Sequence, residues 1–184
     1  MNEEKKHVDL MDESDRGAVL VGAAILEDEL SRLIEMIAKV NGLFAKDAEK
    51  LFSMNGPAST FSGKSLVCRA FGLISQSTFE DLNRIRKLRN KFAHTSEPVD
   101  FLMPEIEDII ADIQCCIEAS KGFSGEMFKG RGKIIGPPEP RPPDYELRTK
   151  GFVKYSKSVF CLDISLLKIK ILNEGAQKLA RIGS

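Results

Sequence analysis

Residues 15–40 read DRGAVLVGAAILEDELSRLIEMIAKV, and their spacing decides the fold. Val19, Ala23, Leu26, Leu30, Leu33, Ile37 and Val40 recur in alternating steps of four and three. That rhythm lays one apolar seam along a helix of period 3.6, about Asp15 to Val40 in extent. Leu20, Ala24 and Ile34 widen the seam, and Asn41-Gly42 makes a stop. Gly22, Ala23 and Ala24 are small, so another helix can approach closely there.

Outward from this helix, further helical signals follow. A short helix is expected over Lys46 to Ser53, then an ordered loop from Met54 to Phe61. Thr60 or Ser62 should cap a helix running to about Phe71, ended by Gly72. Ser77-Thr78-Phe79-Glu80 reads as a capping box opening a helix with Leu82, Ile85, Leu88 and Phe92 on its apolar side, lasting to about His94. Pro104 suits the first turn of the next helix, which carries Ile106, Ile109, Ile110, Ile113 and Ile117. After Gly122, five prolines and several glycines mark an extended connector. Beyond Phe152 the chain is apolar on two helix faces; Phe152 to Phe160 also suits a strand, but a long last helix packed back on the bundle is the favoured reading. The expected architecture is one all-α domain over residues 1–184: a core at about 12–122, a connector at 124–145 and a C-terminal helical segment at 152–182.

Composition narrows function. Twenty-seven basic and twenty-seven acidic side chains cancel. Duplex DNA is bound largely by neutralising phosphates, so strong stand-alone DNA binding is not expected. The longest apolar run, Ala18 to Leu26, is far short of the roughly 20 residues that cross a membrane, and Met1 to Asp15 is charged throughout, unlike a signal peptide. A cytoplasmic protein is expected. Four cysteines without metal-ligand spacing, with Cys68, Cys116 and Cys161 among apolar residues, read as reduced core thiols; no metal and no cofactor is expected.

The polar specificity concentrates in residues 84–94, RIRKLRNKFAH. The chain has two histidines, and His94 is the one inside an ordered pattern. On a wheel at 100° per residue, Arg84, Lys87 and Lys91 fall opposite the apolar side and read as solvated. Arg89 falls inside the apolar sector between Leu82 and Ile85. Arg86, Asn90 and Ala93 border it, and His94 stands one turn beyond Asn90. A buried Arg needs a partner, because an unpaired buried charge costs several kcal/mol. Asp15, Glu27, Asp28 and Glu29 are the candidates, giving an inter-helix network that includes Asp15, Arg16, Arg86, Arg89, Asn90 and His94. The same residues allow RNA cleavage through the 2′-hydroxyl: His94 as acid or base, Arg89 on the phosphate and Asn90 orienting either. One helix with these residues can also meet its copy across a homodimer axis.

Four ordered blocks carry a resemblance: residues 13–18 (ESDRGA), 56–64 (GPASTFSGK), 71–75 (FGLIS) and 85–94 (IRKLRNKFAH). Together they resemble the mannitol operon repressor family, over roughly Glu13 to Ser120. The resemblance implies an all-helical, cytosolic, non-enzymatic transcriptional regulator without a recognisable DNA-binding motif, acting through a protein partner: a transcription factor or itself. The Arg89-to-His94 element also resembles the HEPN superfamily, which implies the alternative of a metal-independent RNase or toxin with Arg89 and His94 as the active pair and Asn90 beside the Arg. After Gly122 the chain departs from the repressor pattern.

Overall fold

The computed structural model describes residues 10–95, 98–115 and 145–182, with the side chains of the last segment described from 157 onward. Six helices organise it: α1 Asp15–Val40, α2 Ala45–Phe52, α3 Phe61–Ala70, α4 Gln76–His94, α5 Pro104–Ala111 and α6 Tyr145–Ile182. No strand occurs among the described residues, and the segment 152–160 is helical. His7, Cys116, Ile117 and the Pro/Gly connector lie outside the described residues.

Local chemistry sets most helix ends. Ser14 Oγ accepts the Gly17 N–H at 3.0 Å and opens α1. Asn41 caps it, and Gly42 turns the chain at φ +73°. Thr60 Oγ1 accepts the Gly63 N–H at 3.0 Å and opens α3, and Gly72 closes it at φ +66°. Pro104 occupies the first turn of α5, where its missing N–H has no cost. Two expectations shift. The cap of α4 is Ser75, whose Oγ accepts the Thr78 N–H at 3.2 Å; the Ser77–Glu80 box lies inside the first turn. Ser75 is also held from outside the helix, since Glu174 accepts its N–H at 2.8 Å. Helix α5 stops at Ala111, although Ile113 beyond it is fully buried.

α1 is the central element. Its seam residues Val19, Ala23, Leu26, Leu30, Leu33 and Ile37 are buried, while Val40 at the end is half exposed. Each fully buried Leu of this kind stabilises by about 1.5–3 kcal/mol. α6 runs parallel along it: Asp15 meets Lys157, Gly22 meets Phe160 and Ile164, and Leu33 meets Gly175. The close approach expected at Gly22 is present. A Cβ there would lie 3.1 Å from Ile164 Cγ1, and one at Gly175 only 2.4 Å from Leu33 Cδ2. α4 runs antiparallel to α6. Glu174 reaches Ser75 and Thr78 at one end, and the rings of Phe92, Phe101 and Phe160 pack in tilted pairs at the other, with centroids 5.7 and 5.4 Å apart. α3 lies beside α1, through Lys64 on Glu27 at 2.7 Å and Cys68 Sγ toward the Leu30 carbonyl at 3.7 Å. No described helix is long and apolar enough to cross a membrane.

Candidate functional site

The C-terminal half of α4 presents the residues singled out from the sequence, but not as an internal network. Arg89 is exposed, and its Nη1 reaches only the neighbouring Asn90 Oδ1, at 3.4 Å. His94, the last residue of α4, is exposed as well. None of the four acids offered as partners for Arg89 reaches it. Glu27 binds Lys64, Glu29 lies on Arg32 at 3.0 Å and Lys168 at 3.6 Å, and Asp28 is exposed. Asp15 accepts the Phe101 N–H at 3.2 Å and lies 3.9 Å from Lys157.

The physical reason is the length of a neighbour. α3 has 10 residues and α4 has 19. At 1.5 Å per residue α3 spans about 15 Å of the roughly 28 Å that α4 offers. Residues 71–75 join the end of α3 to the start of α4, so α3 flanks the N-terminal half. Arg89 does lie on the sector read from the wheel, but α3 does not extend so far along the helix.

Arg16 and Arg86 complete the picture. Arg16 Nη2 donates to the Thr95 carbonyl at 2.9 Å, closing the end of α4 against the start of α1. Arg86 is half-buried, and its Nε is a buried donor without a hydrogen-bond partner. The opposite side also departs from the wheel reading. Lys87 is exposed as expected, but Arg84 is half-buried on Asp81 at 3.1 Å, and Lys91 pairs with Glu105 of α5 at 2.7 Å.

The polar residues that hold the interior together are others. Asp81 has no exposed surface. Its Oδ1 accepts the Gln114 N–H at 2.9 Å and its Oδ2 the Cys115 N–H at 3.0 Å, so one carboxylate caps the turn that follows α5. Burial pushes the Asp81 carboxyl above its ordinary value; the Gln114 and Cys115 N–H groups and Arg84 pull the other way. Asp163, equally buried, lies 3.5 Å from the Cys115 thiol. Glu174 of α6 accepts the Ser75 N–H at 2.8 Å and the Thr78 hydroxyl at 3.0 Å, adding a second cap to α4. The signal for Asp81 was present. On the wheel it falls midway between Leu88 and Phe92, at the centre of the apolar sector.

Cys68, Cys115 and Cys161 are buried thiols that form no disulfide. Burial pushes Cys68 up to about 12 and Cys161 up to about 11. Cys115, not singled out from sequence, shares the interior with them. Among the described residues no group of three His, Cys, Asp or Glu side chains is arranged to hold a metal ion. A shallow groove of about 250 Å³ runs between α4 and α5, lined by Glu80, Asn83, Arg84, Lys87, Ile109 and Asp112. Its two acids and two cations balance. On the other flank, no carboxylate among the described residues pairs with half-buried Arg86 or exposed Arg89.

Comparison with known proteins agrees with this architecture. The family described as Mannitol repressor matches residues 8–126. Among solved structures, the X-ray structure of the MtlR-HPr complex from Escherichia coli is similar in fold, with a TM-score of 0.65 at 17% identity, covering 91% of this chain and 98% of that chain. No curated protein matches.

Proposed function

This chain belongs to the mannitol repressor family, and from that premise we propose that it regulates transcription in the cytoplasm without enzymatic chemistry, by binding a protein partner rather than by reading DNA alone. The match over residues 8–126 carries this reading. Charge supports it: the chain is neutral, and Lys64, Lys91, Lys157 and Lys168 each face an acid of another helix. Such pairs brace the bundle and leave those cations unavailable to phosphates. The fold neighbour whose structure is a complex with HPr suggests an HPr-like protein as the partner, and a mannitol operon as the target.

The test is calorimetry of the purified chain with HPr, alongside mobility shifts on mannitol-operon DNA with and without it. Micromolar or tighter HPr binding is expected, with weak and sequence-indifferent DNA binding by the chain alone. Sequence-specific DNA binding at about 10⁻⁸ M or tighter, at physiological salt and without HPr, overturns the reading. Light scattering on the same samples reads whether a second copy, as a homodimer, is the partner instead.

A second reading is favoured by one observation: Arg89 and His94 are exposed, and Arg89 touches Asn90. Those three groups are accessible for metal-independent RNA cleavage, with His94 moving the proton and Arg89 on the phosphate. Incubation of wild type and His94→Ala with total RNA in EDTA decides it. RNA left intact by the wild type sinks it; cleavage lost in a variant of equal melting temperature supports it.

A further inference from the structure

We propose that the notch beside α3, between the start of α1 and the end of α4, is a docking site for a short acidic amphipathic helix of a partner protein. α3 occupies the groove between α1 and α4 only as far as its first residue, Phe61. The side of α1 that carries Glu27 against Lys64 continues past that point as Ala24, Leu20 and Arg16, in helical steps of three and four. The facing side of α4 continues as Arg86, Arg89 and Ala93. Ala24 and Ala93 are exposed and Leu20 is half-buried, so the floor is small and apolar. Arg16, Arg86 and Arg89 form the rim.

Among the described residues no carboxylate pairs with Arg86 or Arg89, and the buried Arg86 Nε has no acceptor. From Leu82 to Ser96 the chain carries no acid at all. Guanidinium groups bind carboxylates through paired N–H donors, and Arg is enriched at interfaces. An occupant with Asp or Glu three or four residues apart meets the rim, and small apolar residues on its inner side meet the floor. The uncovered length of α4, about 13 Å by helix rise, takes two to three turns.

A protein suits the notch better than a nucleic acid. Three arginines neutralise about three phosphates, a modest and strongly salt-limited gain. A floor of Ala24, Leu20 and Ala93 contributes nothing to a phosphate backbone, but it contributes to an interface whose centre is apolar and whose rim is polar. Lys91 on Glu105 shows the same recognition inside the chain: the acidic helix α5 seats on the other flank of α4.

The inference rests on the partner reading above only in taking the occupant to be a protein. Its test uses no HPr, so the two fail separately. The probe is a fluorescein-labelled peptide of Ala and Glu, about 15 residues long so that a helix can form, titrated with the full chain by fluorescence anisotropy. Poly(U), a DNA duplex and the same peptide with Lys for Glu run alongside. The acidic peptide is expected to bind, and the Lys peptide not. Arg86→Glu/Arg89→Glu should weaken binding about tenfold or more. Ala24→Arg, which fills the floor and leaves the guanidiniums in place, should weaken it too. Lys178→Glu, away from the notch, should leave it unchanged. Circular dichroism melts select variants that fold as the wild type does. The proposal is overturned by no binding of the acidic peptide, by equal binding to both notch variants, or by tighter binding of poly(U) or the duplex.

Discussion

Leu82 is fully buried, whereas Arg89, seven residues later on the same side of α4, is exposed. Two turns of helix separate them, and their directions differ by only about 20° on the wheel. α3 flanks the half of α4 that carries Leu82 and not the half that carries Arg89.

Arg89→Ala should therefore cost under about 0.5 kcal/mol, as an exposed substitution does. Asp81→Ala should cost about 3 kcal/mol, because it strands the N–H groups of Gln114 and Cys115 and leaves Arg84 half-buried without its carboxylate. Urea denaturation of both variants measures the contrast. Equal midpoints would remove Asp81 from its place at the centre of the bundle.

Asp81 should also shape the pH dependence. Burial raises its folded pKa above the ordinary 3.8. Between 3.8 and that raised value the folded chain binds more protons than the unfolded one, so this contribution to stability is lost as pH rises through the window. Asp81→Asn cannot titrate. The unfolding free energy of wild type minus that of Asp81→Asn should fall as pH rises from 3.8, and a difference that grows would reverse the assignment.

Glu174 joins α6 to the start of α4, accepting from Ser75 N–H and Thr78 Oγ1. Glu174→Ala should destabilise by about 1–2 kcal/mol, the range of a lost cap. Lys178→Ala, on the same helix, should be close to neutral. Thermal melts of the two report whether the second cap contributes.

Gly175 and Gly22 should respond differently to Ala. At Gly175 the new methyl lies 2.4 Å from Leu33 Cδ2, and Leu33 is fully buried. Overpacking of this kind costs about 1–3 kcal/mol and exceeds the helix-propensity gain of about 1 kcal/mol. Leu33→Val should partly rescue Gly175→Ala. At Gly22 the nearest atom is 3.1 Å away on Ile164, the two terms nearly cancel, and the melting temperature should move little.

Cys68 and Cys161 should resist alkylation. With thiols pushed up to about 12 and 11, the reactive thiolate is scarce near neutrality, and burial blocks access. Iodoacetamide at pH 8 followed by peptide mass spectrometry should label them only after denaturant is added. Rapid native labelling of either would show that the interior opens.

Helix positions were legible in the residues themselves. The bounds of α1, the stops at Gly42 and Gly72, the cap at Thr60 and the start of α5 at Pro104 follow from side chains within four positions of each end. The small patch at Gly22 announced a close helix. Which side of α4 faces the core was also readable, because the 3.6-residue period is local. How far that side stays covered was not, because coverage depends on the length and placement of α3. So Arg89, on a core-facing sector, stands in solvent, while Asp81 receives its caps from Gln114 and Cys115, 33 and 34 residues away. Which segments are helices, and which side of each is apolar, follows from local residues alone. Which polar groups are enclosed, and by whom, follows from the packing, since a helix's period is set by its own backbone and its burial by neighbours distant in the chain.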